Sequence, residues 1–279
     1  MLLDTHLHLI YPDILKYPWL DKVDLLNKPS RYEDYHIKAS RLGITACLHM
    51  EVDVEENQIK EETKMIHNLI KNNDTIIKGV ISSCRPEKSN FYQMMEYADS
   101  QPLIKGFRRV LHVAPDNTAE GDQFKNNVNL LSDTKLTFDL CAFPQQHPEI
   151  MQLIDFCPKV TFILDHCGVP NIKEGDIHDW KSSISELALR DNLFCKISGI
   201  IAYGDNNMWN VNDIKPYFEH VVNSFGFERI IWGSDSPVCN LGGGLETWVA
   251  ATYLMTQHWS HEQKKKFFFA NSIKIWNLK

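Results

Sequence analysis

Eight short runs rich in apolar and β-branched residues recur along this chain, separated by segments with helical spacing. The runs cover residues 2–10, 43–52, 76–84, 104–112, 136–143, 160–167, 193–200 and 229–238. Between them, residues 55–71 and 147–156 repeat apolar side chains three and four apart, the stripe of a helix that buries one face. Strand alternating with helix predicts parallel βαβ units. Eight such units in 279 residues predict an α/β fold, a (β/α)8 TIM-type barrel, whose usual size is about 250 residues. No linker, internal repeat or low-complexity segment divides the chain, so residues 1–279 are read as one domain.

The connections are informative too. Residues 10–31 form a long link containing Tyr17-Pro18-Trp19-Leu20, expected to lie over the barrel mouth, as are residues 171–177 and 203–212. After residue 238 come Gly242-Gly243-Gly244 and a helix from about Leu245. A last helix is expected near Ser260, where Ser260-His261-Glu262-Gln263 fits a capping box.

Charge and cysteine usage narrow the function classes. A net charge of −7 repels phosphate backbones, which argues against a nucleic-acid partner. The run Lys264-Lys265-Lys266 reads as a solvated helix face. Seven cysteines, an odd number with no Cys-x-x-Cys pair, sit mostly in apolar runs and suit a reducing cytoplasm. Asp4 and His6 stand where a signal peptide would place its apolar core. No apolar run approaches the ~20 residues needed to span a bilayer, so no membrane partner is expected.

In a (β/α)8 barrel, side chains at the C-terminal strand ends converge on one face. On the first run Asp4, His6 and His8 share one parity, and Leu3, Thr5, Leu7 and Leu9 the other. Period two then turns the histidines into the barrel and the apolar set towards the helices. Two imidazoles on one side of one strand can reach a single metal ion or a single polarised oxygen. On the fourth run Arg108 and His112 share a parity opposite to Phe107 and Leu111. Arg108 is expected inward, either as a clamp for a carboxylate or carbonyl or as a buried ion-pair partner of Asp139. The sixth run ends Leu164-Asp165-His166-Cys167-Gly168, with His166 in line with Leu164 and Phe162. The seventh ends Lys196-Ile197-Ser198-Gly199, and the eighth Gly233-Ser234-Asp235-Ser236-Pro237, a carboxylate at the last rim. His49, His67 and His220 stand alone and read as structural. Packing alone gives no reason for polar groups at so many strand ends, so a shared pocket is expected.

These same stretches carry a resemblance. Asp4-Thr5-His6-Leu7-His8, Tyr17-Pro18-Trp19-Leu20, Gly106-Phe107-Arg108-Arg109-Val110-Leu111, Leu164 to Gly168, Lys196 to Gly199 and Trp232 to Pro237 resemble the amidohydrolase superfamily. More narrowly, they are similar to its lactonase branch, which includes L-fuconolactonase, L-rhamnonolactonase and 2-pyrone-4,6-dicarboxylate lactonase. The resemblance implies a distorted barrel and hydrolysis of a small-molecule lactone, with a neutral sugar-acid lactone as the leading substrate. One departure is visible. Many superfamily members place a histidine or modified lysine ligand on the fifth strand, and Thr137 to Phe143 offers neither. A binuclear site is therefore not expected. One divalent ion, zinc by preference, could be held by His6, His8 and Asp235 with His166 beside it; catalysis without a metal stays open. Asp235 is expected as general base, with His6, His8 and His166 polarising the carbonyl. Arg108, His112, Tyr203 and Trp19 are expected to bind the substrate.

Three alternatives stay open at this level. A metal-dependent amidohydrolase or decarboxylase of the same superfamily would hold its metal firmly, and a non-enzymatic binding protein would turn over no lactone. The state of assembly, homo-oligomer included, is not legible.

Overall fold

The computed structural model describes residues 1–175, 177–205 and 208–278. Eight strands appear in chain order: β1 Leu2–Leu7, β2 Ile44–Met50, β3 Ile77–Ser83, β4 Ile104–Val110, β5 Thr137–Cys141, β6 Thr161–Leu164, β7 Leu193–Ser198 and β8 Ile230–Gly233. Each pairs in parallel with the next, in the order β1 to β8. Each strand is followed by an α-helix: α1 Tyr32–Arg41, α2 Ile59–Asn72, α3 Tyr92–Asp99, α4 Asp122–Asn129, α5 His147–Phe156, α6 His178–Leu187, α7 Val211–Phe225 and α8 Leu245–Met255. Two short helices, α9 His261–Lys265 and α10 Asn271–Trp276, end the described chain. The expected (β/α)8 barrel is thus present. In α2 the buried Ile59, Thr63 and Ile66 sit at the four- and three-residue steps that make one helical face. Ser260 caps α9 as expected: its hydroxyl accepts from Gln263 N at 3.2 Å, and Gln263 returns the bond to Ser260 N at 2.8 Å.

The seam between the first and last strands places the site. Closure comes from residues just beyond β8, through a parallel bridge from Leu7 to Ser236. His8 N donates to Ser236 O at 2.8 Å, and Asp235 N donates to His6 O at 2.9 Å. Two histidines and a carboxylate far apart in sequence are thereby held side by side by backbone bonds.

The lumen has its own core. Leu3, Ala46, Leu48, Met50, Ile81, Ile163 and Ile231 form one buried cluster with Trp276 and Leu278. β2 and β6 lie on opposite sides of the ring, so their side chains can meet only inside it. The C-terminal Trp276 plugs the bottom, its indole N–H donating to Thr137 Oγ1 at 3.0 Å.

This cluster corrects the parity expected for β1. Leu3 points into the lumen. Asp4 faces α1 instead, accepting from the Tyr35 hydroxyl at 2.8 Å. The register of β1 against β2 shifts between Asp4 and Leu7. One irregular step exchanges the two faces of a strand, so His6 and His8 still end up inside.

The eight runs also outlast their strands: β6 stops at Leu164 and β8 at Gly233. Beyond those points the backbone turns left-handed at His166, Cys167 and Asp235, with φ of 53°, 56° and 58°. His166 therefore leaves the strand, and the period-two alignment with Leu164 and Phe162 does not govern it.

Residues 10–31 fold over the mouth as expected. Ile10 and Ser30 bridge the loop's ends, and Leu15, Tyr17, Leu20 and Leu26 pack with Val52, Val54 and Ile59. The segments expected at 171–177 and 203–212 include positions 176, 206 and 207, which lie outside the described residues. All seven cysteines are free and buried. Among the described residues no helix is long and apolar enough to cross a membrane.

Candidate active site

Asp235 sits at the centre of three imidazoles. Its Oδ1 lies 3.3 Å from His8 Nε2 and 3.7 Å from His6 Nε2, and its Oδ2 lies 3.8 Å from His166 Nδ1. All four residues are buried. A cavity of ≈ 280 Å³ opens above them, touched by His8, His166, Asp235, Arg108, His112, Tyr203 and Trp19. His6 lies just beneath this floor. The structure thus gathers every residue the sequence singled out for the site. Gly199 makes room for the carboxylate: a Cβ there would stand 2.3 Å from Asp235 Cβ, and its φ of +56° also favours glycine.

Hydrogen bonds assign the tautomers. His8 Nδ1 faces Met50 O at 3.1 Å, and a carbonyl can only accept, so Nδ1 carries a proton and Nε2 is the nitrogen turned towards Asp235. His6 Nε2 accepts from Arg108 Nη1 at 3.1 Å. Burial, with the Lys196 ammonium alongside, pushes the His6 imidazole well below its ordinary range, so that ring is neutral. His6 Nε2, His8 Nε2 and Asp235 Oδ1 have the mutual spacing of ligands to one cation, which would take the His6 lone pair that accepts here from Arg108. Atoms about 2.1 Å from a tetrahedral zinc stand about 3.4 Å apart, close to the two spacings onto Asp235. A second carboxylate group, Asp165 with His6 and His166, also has ligand spacing. There, however, the Lys196 ammonium already stands 2.8 Å from Asp165 Oδ1 and 3.3 Å from His6 Nδ1.

His166 is held by the end of β7. Its Nδ1 lies 2.9 Å from Ser198 Oγ and 3.2 Å from Ser198 O, leaving Nε2 as the nitrogen available to a ligand. Burial disfavours its charged form, but the Asp235 carboxylate, Cys141 and Asp165 together outweigh this and its pKa is pushed up to about 9.

Under the site lies a charged layer that sequence reasoning missed. Lys196 of β7 is fully buried and bonds Asp139 of β5 at 2.6 Å as well as Asp165. Arg108 is buried too, but its partner is Glu51 at the end of β2, not Asp139: Nε donates to Glu51 Oε1 at 2.6 Å and Nη2 to Glu51 O at 2.9 Å. With Nη1 on His6, Arg108 braces the site with three of its five N–H groups, which leaves one on each Nη. Glu51, Asp139, Asp165 and Asp235 are each at most 1% exposed and face two permanent cations, Arg108 and Lys196. Burial raises the Asp139 carboxyl to about 7, and the negative charge still left by Glu51, Asp165 and Asp235 favours a proton on His166 or a metal beside Asp235. A signal for this layer was present, since Lys196 interrupts an otherwise apolar strand.

The histidines read as structural behave so. His49 pairs with Glu62 at 3.2 Å, His67 is exposed, and His220 lies against Lys181 O at 2.9 Å.

Known proteins agree with this architecture. A family model described as amidohydrolase matches residues 3–278. The uncharacterized protein y4mH of Sinorhizobium fredii is 23% identical over 295 aligned residues, covering 99% of this chain and 98% of its own. L-fucono-1,5-lactonase of Burkholderia ambifaria is 29% identical over 143 residues, covering 51% of this chain and 49% of the lactonase, so that match spans about half of either protein. The crystal structure of an amidohydrolase from Burkholderia multivorans with bound zinc shares the fold, with a TM-score of 0.89 at 19% identity and 100% of both chains covered.

Proposed function

This chain belongs to the amidohydrolase family, and from that premise we propose that it is a hydrolase that opens a cyclic ester. One observation carries the reading: a buried carboxylate, Asp235, ringed by three imidazoles on the floor of a cavity sized for a single small ring. The similarity to L-fucono-1,5-lactonase supports the choice of a lactone, and that relative's name favours the sugar-acid ring expected from the sequence.

Ester hydrolysis needs an activated water, a polarised carbonyl and a stabilised oxyanion. The two Asp235 oxygens divide the work. Oδ1 faces His6 and His8, whereas Oδ2 is buried without a hydrogen-bond partner among the described residues and is free to take a proton from water. That water attacks the carbonyl carbon, and the His166 imidazolium donates from Nε2 to the oxygen as its charge develops. When the ring C–O bond breaks, Asp235 returns the proton to the departing alkoxide. A tethered alkoxide leaves more readily than an amide nitrogen, so this modest machinery suits an ester. His6, His8 and Asp235 are the residues that would hold a divalent ion, which when bound would act as a Lewis acid on the carbonyl.

Ring opening releases an acid, so a pH indicator reports it directly. Failure of the purified protein to open any member of a panel of γ- and δ-lactones would overturn the proposal. On a substrate that is opened, kcat/KM corrected for spontaneous hydrolysis is expected to fall above about pH 9, where His166 loses its proton. A profile flat to pH 10.5, roughly 1.5 units further on, would remove His166 from the role of donor. Elemental analysis after dialysis is expected to find one zinc per chain, and an Asp235→Ala protein to find none.

A further inference from the structure

The part of the cavity wall that the chemistry does not use is hydrocarbon. Val110 and Val169 are buried and pack with Cys141 in a small cluster of their own, apart from the main core. Val52 and Val238 face the same space from the other side. At the mouth the apolar lining runs on into water, where Val113 and Phe143 are 57% and 44% exposed. An apolar track therefore leads from the reacting centre to the rim.

Polar groups free to receive ring hydroxyls are few by comparison. The Trp19 indole N–H is spent on Val52 O at 2.8 Å, and three of the five Arg108 N–H groups on Glu51 and His6. Asp53 is paired with Arg85 at 3.1 Å. His112 lies with Nδ1 3.4 Å from the Cys141 thiol and its ring against Phe143, leaving one nitrogen. Among the described residues the Tyr203 hydroxyl and the two remaining Arg108 N–H groups are added to these. A polyol entering this space would give up water at several hydroxyls for incomplete replacement, which costs binding. A hydrocarbon group gains by entering it.

We propose that the lactone opened here carries a hydrocarbon substituent, lying over Val110, Val113, Phe143 and Val169, rather than the hydroxyls of a sugar acid. The inference rests on the lactonase reading and narrows it, departing from the substrate in the relative's name.

Three lactones with the same five-membered ring test it: γ-butyrolactone, γ-nonalactone and a polyhydroxylated aldono-γ-lactone, each rate normalised to that lactone's own alkaline hydrolysis. Each buried methylene is worth about fourfold, so γ-nonalactone is expected to exceed γ-butyrolactone in kcat/KM by at least about tenfold, and the aldonolactone to fall below both. Phe143→Ala and Val113→Ser are each expected to shrink the nonalactone-to-butyrolactone ratio. Preference for the aldonolactone, or a ratio unmoved in both variants, overturns the hydrocarbon assignment and leaves the lactonase reading standing. Silence on all three overturns the hydrocarbon assignment, and the lactonase reading falls with it only if the δ-lactones of the wider panel are silent too.

Discussion

Asp235→Asn is expected to lower kcat on any lactone this protein opens by about 10³-fold, within the usual range for losing a general base, while leaving the fold intact. The substitution keeps the packing but removes an anionic metal ligand together with the base, so zinc content is measured beside turnover. Asparagine keeps the shape of the side chain and is, after glycine, among the residues best tolerated at positive φ, as at the 58° of position 235. The backbone bond from residue 235 to His6 O does not involve the side chain and survives. Oδ2 has no hydrogen bond to forfeit among the described residues. What disappears is the ability to accept a proton, and with it the negative charge that holds His166 protonated. Thermal unfolding of the variant should match the parent within a few degrees. Near-full turnover in a folded variant would sink the assignment of Asp235 as base.

The largest effect on stability is expected at Lys196. Its ammonium is fully buried between Asp139 and Asp165, and both carboxylates lose their compensating charge in Lys196→Met. Breaking a buried pair from one side typically costs about 3–5 kcal/mol, a large share of a domain's net stability. Methionine fills similar volume, so packing accounts for little of the loss. Urea unfolding measures it directly. Adding Asp139→Asn should recover part of the loss by removing one stranded charge. A Lys196→Met protein as stable as its parent would show that the layer beneath the site is not ionised as its geometry implies. Activity should fall as well, because Lys196 lies 3.3 Å from His6 Nδ1 and helps keep that ring neutral.

Much of the site was legible before any coordinates. His6 and His8 at the first strand, His166 after the sixth and Asp235 after the eighth are polar residues at the strand ends of a barrel, and barrels gather those ends on one face. The details went astray where local geometry departs from ideal strands. Period two placed Leu3 outside and Asp4 inside, yet a register shift within β1 reverses both. The same rule aligned His166 with β6, whereas its left-handed backbone takes it off the strand and onto Ser198. Arg108 was correctly read as inward. Its partner, Glu51, could not be chosen over Asp139 without knowing how far around the ring a guanidinium reaches.

Periodicity and strand count, properties of the sequence by itself, determined the (β/α)8 architecture, because burying eight apolar strands between amphipathic helices leaves few other solutions. They also determined which residue types reach the mouth, since strand polarity decides which end carries them. Tertiary structure alone decided the charge pairing beneath the site and the hydrocarbon wall above it. Both depend on contacts across the barrel between residues such as Lys196 and Asp139 or Val110 and Val169, and such distances are set by ring closure and by loops whose course no local pattern encodes.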